Sequence, residues 1–312
     1  MPSLTSEPLQ FIVSNPANPE RLDAFLVQMF PEVSRSYLQK LISGGCVQVN
    51  ATVVLRPHWR VAVDDRVDVD FAPPPRADLT PNASIPLDVL YEDEQVIVLN
   101  KPAGMMVHPD DRHPSGTLVN ALLAYDPAIA SVGTSRLRPG IVHRLDKDVS
   151  GVMVVVRTNE MFLWLKRQFV QQEVEKEYHA LVHGTFTQPT GEITLSIARS
   201  VTGHKMAARP DGSGKSARTT YEVLEAFPHA TYLRLRIATG RTNQIRVHLN
   251  AIGHPVVGET LYIPQGFRTR LTLDRLFLHS IHLSFLDLDG DRHGYTAPLP
   301  AELIAMLENL RR

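Results

Sequence analysis

The chain has 312 residues, of which 43% are hydrophobic and 21% charged, and its formal net charge is −1 at pH 7. This length fits one large domain plus a small one, and the composition predicts a soluble globular protein with a sizeable core. The single cysteine, Cys46, excludes an internal disulfide framework and a cysteine-cluster metal site, and it favours a reducing, cytoplasmic compartment. The first ten residues lack the features of a signal peptide, and no apolar run reaches membrane-spanning length, so we expect no membrane association.

Basic residues are concentrated in one part of the chain. The overall charge argues against a uniformly basic nucleic-acid-binding protein. Residues 196–250, however, contain nine lysines and arginines against three acidic residues. Such a local excess predicts a basic face that can attract a polyanion although the whole protein is nearly neutral.

The first 71 residues predict two helices followed by short strands. After a loose Pro/Ser/Asn-rich lead-in, apolar residues at positions 22, 25, 26, 29 and 30 have helical spacing. Ser34 is the expected N-cap of a second helix over 35–42, which ends at Gly44-Gly45. Strands are predicted around 47–49, 53–55 and 67–71.

Residues 19–71 resemble the S4-like RNA-binding domain through Arg21-Leu-Asp23, Ser34-Arg35 and Val47-Gln-Val-Asn50. The resemblance implies a small α+β domain that binds RNA, with Arg21, Arg35 and Lys40 as the expected contacts. Ala51 stands where the family has glycine, and acidic residues outnumber basic ones, which favours weak binding or binding together with the rest of the chain. The alternative is a folded appendage without an RNA role. A Pro-rich linker over residues 72–86 follows.

The large domain, residues 87–312, alternates strands and helices. Two strands around an acidic turn open it, and a β-branched run over 152–157 predicts a buried strand. Further helices are predicted over 117–125, 160–172 and 300–311, and further strands over 176–182, 232–238, 276–279 and 283–285. The helix over 160–172 is expected to be capped by Asn159, and its core-facing residues are expected to be Met161, Phe162, Leu165, Phe169 and Val170. A loop or hairpin is predicted over 205–215. The expected fold is α+β, with a mixed, mostly antiparallel central sheet flanked by helices.

A loop directly before the buried strand carries the strongest functional signal. The stretch Arg138–Gly151 combines Pro139 and Gly140 with a burst of charge, and polar groups at the edge of a rigid sheet are commonly reactive. In an extended loop, a period of two puts Arg144, Asp146 and Asp148 on one side. The residues alone leave an ordinary charged turn as an alternative.

The segment His143-Arg-Leu-Asp-Lys-Asp-Val-Ser-Gly151 closely resembles the His-Arg-Leu-Asp-x-x-Thr-Ser-Gly signature of the RluA family of pseudouridine synthases. The resemblance implies that Asp146 is the essential catalytic residue. Val149 replaces the usual threonine, which keeps the shape of the side chain but loses a hydroxyl group.

Three further motifs resemble the same family. Lys176-Glu-Tyr178 implies that Tyr178 is the active-site tyrosine that lies against the target base and assists proton removal. Gly240-Arg-Thr-Asn-Gln-Ile-Arg-Val-His248 implies that Arg246 pairs with Asp146, although Asn243 stands where histidine is usual. Lys215-Ser-Ala-Arg-Thr-Thr-Tyr221 matches a third motif. The expected substrate-binding residues are His143, Arg144, Lys215, Arg241 and Gln244.

The loop Lys101-Pro-Ala-Gly-Met-Met-Val-His-Pro109 also resembles the family. Because its proline and glycine fix the shape of the backbone, we interpret Lys101 and His108 as parts of a structural turn rather than as catalytic groups.

Pseudouridine formation breaks the N1–C1′ bond, turns the uracil and rejoins it through C5, so the reaction needs no metal, redox partner or energy source, and we expect no cofactor. An ionised carboxylate beside the ribose and base is needed, and a close arginine is expected to lower the pKa of Asp146. Tyr178 is the expected base for the C5 proton, directly or through water. The target nucleotide must be flipped out of the RNA stack into a pocket.

Alternatives remain at this point. A glycosidase would use Asp146 with Asp148, but Asp148 is more simply a solvent-facing charge of the loop. A metal hydrolase would use His279 with His282, but that segment alternates as a strand and no carboxylate is spaced to complete a ligand set. A catalytically inactive RNA-binding or ribosome-assembly factor is favoured only by Val149 and Asn243. By analogy with relatives that carry an S4-like domain, the expected substrate is large-subunit ribosomal RNA, with transfer RNA as the alternative, and the expected state is a monomer.

Overall fold

The structure is a computed structural model that describes residues 9–14, 20–30, 33, 35–70, 79–110, 113–135, 137–200, 205–268 and 271–312. The chain divides into two compact units, Met1–Asp78 and Leu79–Arg312. Most of the first half of the predicted linker, and the predicted N-cap Ser34, lie outside the described residues. Thr80 and Asn82 hydrogen-bond with Asn120, so the second half of the predicted linker packs on the second unit.

Over its described residues, the N-terminal unit contains two helices and two small antiparallel sheets. Its elements are β1 (Leu9–Ile12), β2 (Glu20–Arg21), α1 (Leu22–Met29), α2 (Arg35–Ser43), β3 (Val47–Val49), β4 (Thr52–Val53), β5 (Arg60–Val61) and β6 (Arg66–Val69). The strand order of the larger sheet is β1-β6-β3-β4, and β2 pairs with β5. Both helices place leucines in the core of this unit, as the helical spacing predicts.

The β3–β4 hairpin turns through Asn50 and Ala51, which both have a positive φ, 51° and 63°. Two-residue hairpin loops require this conformation, and it is least costly for glycine or asparagine. The alanine at the family's glycine position is therefore accommodated without a change of turn, although its Cβ makes the turn less favourable.

The second unit is built on a nine-stranded sheet. Its elements are β7 (Val89–Glu92), β8 (Val96–Lys101), α3 (Leu118–Tyr125), a 3-10 turn (Pro127–Ser131), β9 (Ser150–Val156), α4 (Asn159–Gln171), β10 (Glu175–His183), β11 (Thr190–Ile193), β12 (Ser196–Arg199), β13 (Met206–Arg209), β14 (Thr219–Phe227), β15 (Ala230–Ile237), α5 (Gln244–Ala251), β16 (Leu278–Leu286), β17 (Arg292–Thr296) and α6 (Ala301–Arg311).

The sheet order is β11-β14-β15-β10-β16-β9-β8-β7, with β17 also paired to β16. Within the described residues, β9 and β16 are parallel and every other pair in this sheet is antiparallel. The predicted α+β class and mixed, mostly antiparallel sheet are thus confirmed. The separately predicted strands near 276–279 and 283–285 are one strand, β16. The loop or hairpin predicted over 205–215 contains β13, and the hairpin that β13 forms with β12 begins earlier in the chain, at Ser196.

Strand β9 is buried along its whole length, and its residues from Val152 to Val156 are apolar, because both faces of the sheet are covered there. Val152 and Val154 belong to one core cluster, together with residues of α4. Met153 and Val155 belong to the other cluster, together with residues of α3. The strand is therefore held from both sides, and the loop before it is attached to a rigid support.

Helix α4 begins one residue earlier than its predicted start. Its N-cap is Thr158, whose hydroxyl accepts a hydrogen bond from the Met161 amide, and the predicted cap Asn159 instead accepts one from the Gly133 amide. Val170, predicted to face the core, is 75% exposed, because the buried stripe follows Met161 and Leu165 through Gln168. No helix within the described ranges combines the length and apolar character needed to cross a bilayer.

Candidate active site

The loop that carries Asp146 is held in place by its apolar neighbours. Leu145 and Val149 are buried in the main core cluster, while the intervening Asp146 is partly exposed, and the Val149 amide donates to the Asp146 carbonyl oxygen at 3.2 Å. The predicted alternation holds for Arg144, Leu145 and Asp146. The chain turns after Asp146, however, so the prediction that Asp148 lies on the same side is wrong, and Asp148 lines a different cavity. Val149 lies in apolar surroundings, which suit valine at the family's threonine position.

Lys101 fastens this loop to the neighbouring one. Its buried ammonium donates to three carbonyl oxygens, those of Pro102 (2.7 Å), Met105 (2.9 Å) and Lys147 (3.2 Å). Burial lowers the pKa of Lys101 to about 7, although Asp146 and Asp148 act in the opposite direction. The structural interpretation of Lys101 thus agrees with its contacts, and those contacts end one residue from Asp146.

Gly151 allows β9 to approach β16. Its φ is +120°, and a Cβ atom built at this position would overlap the backbone of Ser280 on β16. Only glycine meets both conditions. Because β9 and β16 pair here in parallel, the glycine of the family signature sets the distance between the Asp146 loop and the centre of the sheet.

Arg246 is aimed at Asp146 by a third residue. The Arg246 Nη1 atom lies 3.7 Å from Asp146 Oδ2, which is an ion pair but longer than a hydrogen bond. Glu259 is the closer partner, because it accepts from Nε and Nη2 of Arg246 at 2.7 Å each. Both side chains of the Arg246–Glu259 pair are buried. The predicted pairing of Arg246 with Asp146 is therefore a secondary contact of an arginine anchored elsewhere.

Asn243 supports the same arginine. It adopts a left-handed conformation (φ 55°, ψ 24°) as the N-cap of α5, which asparagine tolerates better than most residues. Its Oδ1 accepts from Arg246 Nη1 at 3.1 Å, and its Nδ2 donates to the Tyr262 hydroxyl at 2.8 Å. Asparagine at the usual histidine position thus links Arg246 to Tyr262 without adding a charge.

The electrostatic balance at Asp146 differs from the sequence-based expectation. Burial raises the pKa of Asp146 above its usual value, and the opposing attraction of Arg246, Arg144 and Lys101 does not cancel this effect. The expectation of a lowered pKa is therefore wrong in this geometry. A carboxylate that is costly to ionise in its site becomes more reactive once it is ionised, since solvent does not stabilise its charge.

Tyr178 faces the same cavity from β10. The cavity has a volume of about 660 Å³ and is lined by Asp146, Tyr178 and Arg246, among others. Burial raises the pKa of Tyr178 above its usual value, and the negative charge of Asp146 raises it further, whereas a hydrogen bond with Ser280 acts the other way. The site therefore stabilises the neutral phenol, which can pack against a nucleobase but is a weak proton acceptor.

Comparisons with known proteins agree with this geometry. Residues 95–251 match the model of the RNA pseudouridylate synthase family, and residues 20–67 match the S4 domain. An RNA pseudouridine synthase of Synechocystis sp. is 40% identical over 94% of this chain and 89% of its own length. The ribosomal large subunit pseudouridine synthase D of Xylella fastidiosa is 41% identical, over 97% of this chain and 92% of its own length.

This chain belongs to the RNA pseudouridylate synthase family. The predicted family, the S4-like domain and the enzyme class, an isomerase, are confirmed by these matches. Human RNA pseudouridylate synthase domain containing 1 has a similar structure, with a TM-score of 0.57 and 25% identity, over 74% of this chain and 97% of the human one. Human RNA pseudouridylate synthase domain containing 4 shares the fold, with a TM-score of 0.58 and 24% identity, over 72% of this chain and 93% of the human one.

Two predicted substrate-binding residues of the synthase, His143 and Gln244, line the Asp146 cavity and also form hydrogen bonds within the protein. His143 Nε2 accepts from the Val154 amide at 3.0 Å, its ring stacks on Phe169, and burial lowers its pKa to about 3. Gln244 makes four hydrogen bonds, to the Thr239 hydroxyl, the Arg241 amide, the Arg218 carbonyl and the Thr219 hydroxyl. Four bonds exhaust a glutamine side chain, so Gln244 holds the loop before α5 rather than contacting substrate.

Of the other predicted substrate-binding residues, two line the Asp146 cavity and one does not. Arg144 and Arg241 line the Asp146 cavity, and Arg241 uses only Nε in a bond to the Ser216 carbonyl. Lys215 is exposed and pairs through its backbone with Ile197, and it is not among the residues that line this cavity. Its predicted contact with the target nucleotide stays a prediction.

In the S4 unit of the synthase, Arg21 and Arg35 share one acidic partner. Both donate to the buried Asp23, together with Gln39. Burial acts to raise the pKa of Asp23, but these bonds outweigh it and lower the pKa to about 2. The two guanidinium groups remain about half exposed. Lys40 is exposed in the last turn of α2. RNA binding by these three residues stays a prediction.

Sequence reasoning missed Glu259. Its segment, Gly258–Tyr262, lies beyond the residues that match the family model, and nothing in its spacing indicates a partner for Arg246. The histidines considered as metal ligands have other partners: His279 bonds to Ser150 and to the Ala297 carbonyl, and His282 bonds to Thr296. Asp148 lies outside the Asp146 cavity and lines a separate one. The two hydrolase alternatives are thus unsupported.

Proposed function

We propose that this synthase converts uridines of large-subunit ribosomal RNA to pseudouridine, with Asp146 as its catalytic carboxylate. The proposal on the RNA rests on the relatives named ribosomal large subunit pseudouridine synthase D, which match this chain over nearly its whole length. The S4 domain supports the same choice, because it adds an RNA-binding module to the catalytic unit. A monomeric state and a cytoplasmic location belong to the same proposal.

One observation carries the role of Asp146. Its carboxylate opens into the cavity beside Arg246, and that arginine is held by Glu259 and Asn243 rather than by Asp146 itself. Arg246 can therefore keep its position when Asp146 reacts. A preorganised cation beside a reacting carboxylate stabilises charge without needing to move during the reaction.

The reaction exchanges one bond of the base for another. The N1–C1′ bond breaks, the freed uracil turns in the cavity, a C5–C1′ bond forms, and N1 finally carries the proton that C5 loses. Asp146 acts at the ribose or at the base, and Tyr178 packs against the uracil as a neutral phenol. Because burial disfavours the phenolate, the C5 proton is more easily passed to a water molecule or to Asp146 than to Tyr178 itself.

The deciding measurement is tritium release from C5-labelled uridine in ribosomal RNA transcripts. We expect release with the wild type and none with Asp146→Asn. Asp148→Asn is the matched control, because it removes a carboxylate two residues away that lines a different cavity, and it should retain release.

Each other outcome has a defined meaning. Release from transfer RNA but not from ribosomal RNA overturns the substrate proposal and keeps the chemistry. Equal release by Asp146→Asn overturns the role of Asp146. RNA binding without release from either RNA favours an inactive RNA-binding or assembly factor.

A further inference from the structure

Lys176 is one of the cationic groups that line the Asp146 cavity. It lies on β10, two residues before Tyr178, so both side chains point to the same face of the sheet. Only 7% of the residue is exposed, and its ammonium lies 5.5 Å from the centre of the Phe169 ring. Its side chain lines the cavity that contains Asp146 and Tyr178.

This ammonium has no anionic partner. Within the described part of the chain, Lys176 forms no hydrogen bond and no ion pair, and burial alone lowers its pKa to about 8. The other buried cations of the site differ, since Lys101 is bonded to three carbonyl oxygens and Arg246 to a carboxylate. The Lys176 nitrogen is also not completely enclosed by protein atoms. The charge is therefore uncompensated and accessible.

A buried charge without a partner is unfavourable, so natural proteins rarely keep one unless a ligand completes it. The cation–π contact with Phe169 offsets only part of this cost. A neutral carbonyl of the uracil would leave the charge uncompensated. Each nucleotide of RNA, in contrast, brings one negatively charged phosphate, and ammonium groups bind phosphate as point charges.

Lys176 lies where the Asp146 cavity meets a second one. The second cavity adjoins the first and shares Gln172, Lys176, Ile237 and Ala238 with it. A strand whose target base enters the first cavity can continue into the second, with Lys176 at the junction.

We propose that Lys176 binds the phosphodiester next to the flipped uridine and so positions the nucleotide over Asp146. This inference rests on the proposed function, and it adds a ligand for the RNA backbone inside the catalytic cavity. The competing explanation is that the neutral amine of Lys176 removes the C5 proton. Arginine separates the two, because it binds phosphate but does not give up its proton.

The test compares Lys176→Met and Lys176→Arg with the wild type in tritium release from ribosomal RNA transcripts and in RNA binding by filter retention. For Lys176→Met we expect KM and Kd to rise about 10- to 100-fold, which corresponds to the loss of one charge-assisted hydrogen bond. We expect kcat to change little. The slope of log Kd against log salt should fall by about 0.7, the value for one phosphate contact to a single strand. Lys176→Arg should restore most of the affinity.

Arg167→Met is the control for net charge, because Arg167 is exposed on α4, lies over Trp164 and does not line the cavity. It should leave KM and the salt slope close to wild type. Lys176→Met should also be at least as thermally stable as the wild type, since it removes an uncompensated charge and keeps the length of the side chain.

Ethylation interference locates the contact. Ethyl groups on single phosphates of the transcript should block wild-type binding at positions flanking the target, and one of these positions should become insensitive in Lys176→Met. Unchanged Kd and salt slope in Lys176→Met overturn the inference while wild-type turnover stands. Loss of kcat at unchanged KM in both variants assigns Lys176 to proton removal instead. Absence of wild-type turnover overturns the proposed function, and the binding measurements still decide the role of Lys176.

Discussion

Replacing Glu259 by glutamine tests whether the buried pair with Arg246 positions the arginine that faces Asp146. One carboxylate oxygen of Glu259 accepts from Arg246 Nη2 and from the amides of residues 260–262, at 2.7–3.2 Å, and the other accepts from Nε at 2.7 Å. The glutamine oxygen can keep the backbone bonds. Its NH2 group then faces Nε, so two donors oppose each other.

The expected effect of Glu259→Gln follows from burial. Removing one charge of a buried pair costs about 3–5 kcal/mol, because the remaining charge is left without its partner. Arg246 keeps Asn243 and Asp146, and the glutamine keeps the backbone bonds, so we expect a loss of about 3 kcal/mol in the free energy of unfolding. We also expect kcat to fall about 100-fold, since a displacement of about 1 Å at Arg246 disturbs its alignment with Asp146.

Urea denaturation at several pH values measures the stability effect, and tritium release measures kcat. Burial acts to raise the pKa of Glu259, but the bonds from Arg246 and from the backbone outweigh it, so the pKa lies below its usual value. The ionised carboxylate therefore contributes stability that is present above the unfolded-state pKa and is lost as the pH falls through the folded-state pKa. The difference between the wild type and Glu259→Gln should accordingly shrink in acid.

The control for this experiment is Glu192→Gln. Glu192 also contacts an arginine, Arg218, at 2.7 Å, but both side chains are exposed. Water screens that pair, so its loss should change the unfolding free energy far less than the loss of Glu259. Equal losses in the two variants, or wild-type kcat in Glu259→Gln, would refute the reasoning.

Three further perturbations test the support of the catalytic loop. Lys101→Met should lower kcat about 10-fold in single-turnover assays with little change in KM, because it releases the loop from its buried ammonium; a rise in KM alone would contradict this. Gly151→Ala should lose about 4 kcal/mol in urea denaturation through backbone overlap. Its control Gly212→Ala, which also has a positive φ but has open space, should lose about 1 kcal/mol, and similar losses would exclude the overlap. Because burial raises the pKa of Asp146, kcat should fall in acid at a pH above 3.8, and a pH–rate profile with its acidic limb below 3.8 would argue against ionised Asp146 as the active form.

Much of the fold was predictable because it rests on local patterns. The β-branched run 152–156 is a buried strand, and the helical spacing around Met161 and Leu165 is a helix, because side-chain periodicity decides which face an element can bury. The elements that were missed include strands β11, β14 and β17 and helix α5, where a motif of mixed polar residues obscured the helical period. Its start depends on Asn243 in a left-handed conformation, which sequence spacing does not reveal.

The amino-acid sequence by itself determined the class of fold, the family and the loop that presents Asp146, since a long motif and local periodicity contain that information. Only the tertiary structure decided that Glu259 anchors Arg246, that burial raises the pKa of Asp146, and that Lys176 has no ionic partner among the described residues. The physical reason is that electrostatic energies depend on distance and on exclusion from water. Both are set by the packing of strands and helices that are far apart in the chain.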